Sequence, residues 1–176
     1  MNRKRRYVCV FLLLILIIMT GCGHKNDQRE IEEIYNKVFE KYQEVKRLIY
    51  VVTIEIGEEI TDENGQNYLR VEEAEYQDME SIQEALKSAF SAAYIETNLS
   101  WVLEGDYPLY KEIDGHLCIA EADAIGEALS EIITSILDRK EDTIKIEVAG
   151  ERNPYELTLV QEEGEWVIDQ IQEILK

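Results

Sequence analysis

Thr143-Ile144-Lys145-Ile146-Glu147-Val148 is the stretch whose reading decides the fold. Ile144, Ile146 and Val148 alternate with Thr143, Lys145 and Glu147, the period of two that marks a half-buried strand. After a break at Gly150 to Pro154, Tyr155 to Gln161 reads the same way. After a second break at Glu162 to Gly164, Glu165 to Ile171 follows, with Trp166, Ile168 and Gln170 on one side. Before the quoted stretch, Arg139 to Glu141 is a turn and Glu131 to Leu137 an apolar run. Together these segments predict an antiparallel meander. Ala128 to Leu137 is ambiguous, because Leu129, Ile132, Ile133 and Ile136 also fit a helical period. It reads as helix at its start and strand at its end.

Upstream, the period lengthens. Ile31, Ile34, Tyr35, Val38, Tyr42, Val45 and Ile49 recur at i, i+3, i+4 and i+7, with Glu32, Glu33, Lys37, Glu40, Lys41 and Glu44 opposite. That is a long amphipathic helix with one buried stripe, and Asp27 is its expected N-cap. At Tyr50 the period returns to two and Tyr50 to Ile56 reads as a strand, whereas Glu58 to Thr61 has no clear pattern. Asn64-Gly65 is a type I′ hairpin signal, with Tyr68 to Val71 returning. Asp78 or Ser81 starts a second helix, Ser81-x-x-Glu84 fitting a capping box. Met79, Ile82, Leu86, Phe90 and Ala93 trace its buried face to an end near Asn98. Trp101 to Asp106 is a connection. Tyr107, Leu109, Lys111 and Ile113 share a side before the tight turn Asp114-Gly115, and His116 to Ile119 return. Glu121 to Glu127 reads as a loop. The expectation is α+β: two amphipathic helices packed on a curved antiparallel sheet built from hairpins and a C-terminal meander.

The N-terminus is of another kind. Arg3, Lys4, Arg5 and Arg6 precede an uncharged apolar run from Tyr7 to Met19. A spanning helix needs about 18–20 apolar residues, so the run fits a signal peptide better than a membrane anchor. Met19-Thr20-Gly21-Cys22 resembles the lipobox of bacterial lipoproteins, with Met19 where Leu is usual. The resemblance implies cleavage before Cys22 and lipidation of its thiol. The expected organisation is a signal peptide over 1–21, a lipidated tether over 22–28 and a single α+β domain over 29–176. It implies a place on the extracytoplasmic face of the cell membrane, held by the lipid alone.

All 37 acidic residues lie beyond Cys22, whereas four of the 18 basic ones precede it. The remainder therefore carries 14 basic against 37 acidic side chains, a formal −23. Such a charge argues against nucleic acid as a partner, since that binding rests on cationic contacts to phosphate. It also opposes lying flat on an anionic membrane. It suits a solvated surface or a basic partner met by electrostatic steering. Cys9 lies in the expected signal and Cys22 in the lipobox, so Cys118 has no disulfide partner in the mature chain.

Signals of catalysis are sparse. His116 and Cys118, two apart on a strand, share a face. A thiolate beside an imidazole would be a nucleophile. A small buried cysteine next to a turn histidine accounts for the pair better, as no third, orienting residue is evident. A metal would need three or four convergent ligands, and His116-x-Cys118 offers two. No Gly-rich phosphate loop, Gly-x-Ser-x-Gly or Cys-x-x-Cys occurs. The reading is a non-catalytic protein with no cofactor.

From Asn64 onward the order of elements resembles the DL-endopeptidase inhibitor family, IseA-like. Gly65 with Tyr68-Leu69-Arg70-Val71 is similar to that family's Gly-x-x-Tyr-x-Arg-Val strand. Asp78, Ile82, Leu86 and Phe90 resemble its following helix. Tyr110-Lys111-Glu112-Ile113-Asp114-Gly115-His116-Leu117 resembles its Asp-Gly hairpin, and Glu163-Gly164-Glu165-Trp166-Val167-Ile168-Asp169 its closing strand. Cys118 stands where the family has an aromatic. The resemblance implies a protein that blocks cysteine peptidases cutting D-glutamyl–diaminopimelate links in peptidoglycan. Its partner would be a cell-wall peptidase catalytic domain. The expected contact residues are Glu112, Asp114, Gly115 and His116, with Leu117 and Ile119 anchoring the hairpin; the other reading of these residues is a turn that only closes the hairpin. The closing Gly-x-Trp-x-Ile-Asp pattern also occurs in nuclear-transport-factor-like lipoprotein domains. A non-catalytic module binding another ligand or protein is therefore the alternative, and an unrecognised hydrolase a third reading.

Overall fold

The computed structural model describes residues 27–49, 54–120 and 129–175. The expected signal peptide, Cys22, most of the tether, Tyr50 to Thr53 and the loop from Glu121 to Glu127 lie outside the described residues. The chain divides into two compact units, residues 1–35 and 36–176. Helix α1 covers residues 27–49. Asp27, expected as its N-cap, is already helical. In the first unit Gln28 Nε2 donates to Glu32 Oε1 at 3.0 Å, one turn on.

The second unit is α+β. Sheet A has the order β1-β2-β4-β3 and sheet B the order β5-β6-β7-β8, both antiparallel. The strands of sheet A are β1 (Ile56–Thr61), β2 (Asn67–Val71), β3 (Tyr110–Ile113) and β4 (His116–Ala120). Those of sheet B are β5 (Leu129–Arg139), β6 (Thr143–Gly150), β7 (Tyr155–Glu162) and β8 (Glu165–Glu173). Between β2 and β3 lie α2 (Met79–Ala89), α3 (Ala92–Asn98) and a 3-10 turn at Ser100–Val102.

Sheet B is the predicted meander. Ile144, Ile146 and Val148 are fully buried, as are Leu157 and Leu159 of β7 and Ile168 of β8. Each such aliphatic removed from water contributes about 1.5–3 kcal/mol. Glu163 and Gly164 close the β7–β8 hairpin with φ of 52° and 89°. The ambiguous segment is strand from Leu129 onward, not helix at its start. Pairing with β6, from Leu129 opposite Gly150 to Arg139 opposite Ile144, outweighs its helical period. Three register irregularities interrupt that pairing. No described strand pairs with the outer edge of β5. Ile132, Ile136 and Leu137 there are 60, 38 and 46 % exposed.

The opposite edge, β8, is met by the helices. The sequence predicts one helix to Asn98, yet Phe90 is extended and α2 ends before it. Phe90 bridges in parallel to Ile168, and Ser91 N donates to Ile168 O at 2.9 Å. Satisfying that strand edge outweighs one more helical turn. Ser91 is buried and caps α3, accepting from Tyr94 N at 3.0 Å and donating to Asp169 Oδ1 at 2.7 Å. The α2 capping box also shifts. Asp78 Oδ1 accepts from Ser81 N at 2.8 Å and Ser81 Oγ accepts from Asp78 N at 3.4 Å, so Ser81 ends the box that it was expected to begin.

The part of α1 in the second unit serves both sheets. Tyr42 meets the edge of the Phe90 ring at 6.2 Å, and Lys41 pairs with Glu165 of β8 at 3.0 Å. Toward sheet A, Leu48 O accepts from Tyr110 Oη at 3.0 Å, and Glu44 Oε1 accepts from Tyr76 Oη at 2.9 Å.

Two local expectations in sheet A change. Of the predicted Tyr50–Ile56 strand, the described part has a bend at Ile54 and enters β1 at Ile56, and β1 runs on through Glu58 to Thr61. Glu59, Ile60 and Thr61 pair with Leu69, Tyr68 and Asn67, next to the loop that closes the hairpin. That loop is not type I′, since only Gly65 of the Asn64-Gly65 pair has positive φ (80°). Gly65 N donates to Asp62 O at 3.0 Å and Asp62 N to Gln66 O at 2.8 Å. This is a turn over Asp62 to Gly65 ending in a left-handed glycine, the longer hairpin geometry.

Candidate functional site

The β3–β4 hairpin carries the expected contact residues. Asp114 and Gly115 are its two turn residues, with φ of 52° and 77°, both in the left-handed region that a type I′ turn requires. Glu112 opposes Leu117 and Ile113 opposes His116, so the register is uninterrupted up to the turn. Glu112, Asp114, Gly115 and His116 are all exposed. Leu117, Cys118 and Ile119 behind them are buried, as is Tyr110 on β3. The four residues are thus brought together on a turn whose stem is fixed in the core.

A second anchor was not foreseen from the sequence. Lys111 Nζ lies 2.7 Å from Asp62 Oδ2, and the Asp62 side chain is only 1 % exposed. Asp62 Oδ1 accepts from Gln66 N at 2.8 Å and Asn64 N at 2.9 Å. The Lys111 hydrogen bond, then those backbone donors, hold the Asp62 carboxyl down at about 2. The same contact raises the Lys111 ammonium above its ordinary value. Lys111 also sits over the Tyr68 ring, 6.0 Å from its centroid. Tyr107 leans on that ring at 5.3 Å and donates through Oη to Asn67 O at 3.0 Å. An aspartate two residues before Asn-Gly is a side-chain turn signal, and it could have singled out Asp62; Lys111 carried no comparable mark.

Among the described residues, two open cavities adjoin the hairpin. One, of about 550 Å³, takes Tyr110, Lys111 and Glu112 from β3 and Gln66 from the β1–β2 loop. The other, of about 520 Å³, takes Gly115, His116 and Leu117 from the turn and β4, and Arg70, Glu72 and Glu73 from the β2 side. The hairpin therefore presents a projecting acidic turn with a recess on either strand.

His116 and Cys118 do not form a reactive pair. His116 is exposed, whereas Cys118 is fully buried and its Sγ donates to His116 O at 3.5 Å. Burial, the largest influence, pushes the thiol up and disfavours the thiolate. Cys118 packs with Tyr68 and Ala120, flanked by Ile60 and Ile113. Among the described residues no group of three or more His, Cys, Asp or Glu is arranged to hold a metal ion.

Fold and site together define an α+β module that displays a braced acidic hairpin. Comparison with family models, with curated proteins and with solved structures finds no match to this chain.

Proposed function

We propose that this chain is a membrane-anchored, extracytoplasmic lipoprotein that binds a peptidoglycan DL-endopeptidase of the cysteine peptidase type and inhibits it. The observation that carries the reading is the braced turn at Asp114-Gly115, which holds two carboxylates and an imidazole outward. A turn already fixed by its stem loses little freedom on binding. A cysteine peptidase in its thiolate–imidazolium form offers a cation that the Asp114 carboxylate can approach. The formal charge of −23 beyond the expected signal peptide would draw it to the basic surfaces of enzymes that work on an anionic wall.

The test is inhibition of a purified DL-endopeptidase catalytic domain. Asp114→Asn and Glu112→Gln each remove a charge without disturbing the turn, because asparagine tolerates the positive φ at position 114. Each should weaken inhibition at least about tenfold, on the order of one lost charge contact. Glu151→Gln, exposed in the β6–β7 loop, should inhibit like the parent. Equal inhibition by all three variants, at equal melting temperature, rules the hairpin out. A parent that fails to bind the peptidase at low salt rules out the function.

A further inference from the structure

Asn64-Gly65 is the one Asn-Gly pair in the sequence. Such a pair can react with itself, because glycine has no side chain to shield its backbone nitrogen. That nitrogen gives its proton to hydroxide and attacks Cγ of the asparagine. A C–N bond forms, the Cγ–Nδ2 bond breaks, and ammonia leaves with a proton taken from water. The cyclic imide then adds water. Opening at Cγ gives aspartate. Opening at the backbone carbonyl gives isoaspartate, in which the main chain runs through Cβ and Cγ. Asn64 and Gly65 are both exposed, and nothing lies within 4 Å of the place where a side chain of Gly65 would stand. Water and hydroxide therefore reach the pair.

The loop nevertheless occupies the reacting groups. Gly65 N donates to Asp62 O at 3.0 Å, so the proton that must leave is held in a hydrogen bond. Asn64 N donates to Asp62 Oδ1 at 2.9 Å, and Asn64 Nδ2 lies 3.5 Å from Asp62 Oδ2, so the side chain is turned back toward Asp62. Attack would also build a negative charge on nitrogen close to the Asp62 carboxylate, and like charges at short range are costly. Asp62 is held in turn by Lys111 Nζ of β3 at 2.7 Å. One residue thus restrains both nucleophile and leaving group, and its own partner stands on another strand. We infer that Asn64 is a deamidation site whose rate is set by the Asp62–Lys111 contact, which closes the loop against the reaction. The product undoes that closure. Isoaspartate adds a methylene to the main chain before Gly65, which shifts the Gly65 and Gln66 N–H groups off Asp62. The inference rests on the loop and holds whatever protein the hairpin meets.

The test incubates the full chain, held in neutral detergent, at mildly alkaline pH, both native and in guanidinium chloride. Digestion and mass spectrometry then measure aspartate and isoaspartate formed from Asn64. The native chain should convert at least about tenfold more slowly than the denatured one. Lys111→Met, shown by circular dichroism to be folded, should convert several-fold faster than the parent. Ser91→Ala, which weakens the edge of sheet B and leaves the loop alone, should convert like the parent. That contrast separates opening of the loop from unfolding of the whole molecule. If Lys111→Met does not fold, hydrogen exchange in the parent decides. The Gly65 amide should then exchange at least about tenfold more slowly than in the peptide acetyl-Glu-Asn-Gly-Gln-amide. Equal conversion of native and denatured chain, or an unprotected Gly65 amide, would overturn the inference. So would a folded Lys111→Met that converts like the parent, or a Ser91→Ala that converts as fast as Lys111→Met.

Discussion

Lys111 and Asp62, 49 positions apart in sequence, meet at 2.7 Å, and their contact ties the β3–β4 hairpin to the loop that closes β1 and β2. Asp62 receives two backbone N–H groups on its other oxygen, so one carboxylate fixes a loop and a strand at once. A nearly inaccessible charge left without its partner is costly. Lys111→Met should therefore lower the melting temperature more than Lys140→Met, which removes an exposed pair with Asp138 at 3.7 Å. Thermal unfolding followed by circular dichroism measures both. Equal shifts would mean that the Asp62 contact adds nothing.

The same carboxylate makes stability depend on acid. Its folded value of about 2 lies below the ordinary aspartate value of about 3.9. A group depressed on folding contributes above its unfolded value, and the contribution is lost as pH falls through the folded one. Asp62→Asn should be less stable than the parent at pH 6. The gap should narrow between about pH 4 and pH 2 and close below that. Melting temperatures of the two proteins across that range give the answer, and a constant gap refutes the coupling.

Ser91 stands at the break between two helices and at the edge of a sheet. Ser91→Ala removes the cap of α3 and the hydrogen bond to Asp169 together. Loss of a helix cap costs about 1 kcal/mol, and a lost bond to a charged group about 1.5–3 kcal/mol. A urea midpoint shift worth about 2.5–4 kcal/mol is expected. Ser91→Asp, which could cap but would face the Asp169 carboxylate, should not restore the parent midpoint.

Cys118 should be silent toward alkylation. The thiol is fully buried and raised by that burial. Iodoacetamide at neutral pH should leave the Cys118 peptide unmodified in native protein and label it in urea, read by mass spectrometry. Cys118→Ser should fold, with a loss of about 1–3 kcal/mol for placing a hydroxyl there. Labelling in native protein at the rate found in urea would show that the packing around Tyr68 and Ala120 opens readily.

Cys22 is the residue on which the proposed location turns. Radiolabelled palmitate should enter the parent chain expressed in a bacterium and be absent from Cys22→Ala. Equal labelling of both would remove the lipid anchor from the proposal.

Sequence reading succeeded where one period governs both faces of a strand. Ile144, Ile146 and Val148 are buried as their alternation requires, and Asp114-Gly115 takes the backbone that its residue types prefer. It failed where a distant partner overrode local pattern. The apolar spacing runs helically through Phe90, but Ile168 takes that residue's backbone for a strand edge. Leu129 fits a helical period and yet lies opposite Gly150 in a ladder. Asn64-Gly65 satisfies the hairpin rule, but Asp62 accepts the neighbouring N–H groups and selects a longer turn. Of the site, the four exposed hairpin residues could be read from the turn. The Lys111 anchor could not, because only the register of β3 against β4 and of β4 against β2 brings it beside Asp62.

The two borders of sheet B differ in a way that bears on how the protein behaves in concentrated solution. β8 is sealed by Phe90 and Ser91, whereas β5 leaves Ile132, Ile136 and Leu137 in water. A border that no described strand pairs, carrying exposed aliphatics, is a template on which a second molecule can grow. What keeps copies apart is mutual repulsion, at a formal −19 per chain. Salt shortens the reach of that repulsion to about 8 Å at physiological strength and about 3 Å at 1 M. Solubility should then be greatest in dilute buffer and fall as salt is added, the reverse of a protein kept in solution by salt. Ile132→Lys should make the chain indifferent to the change.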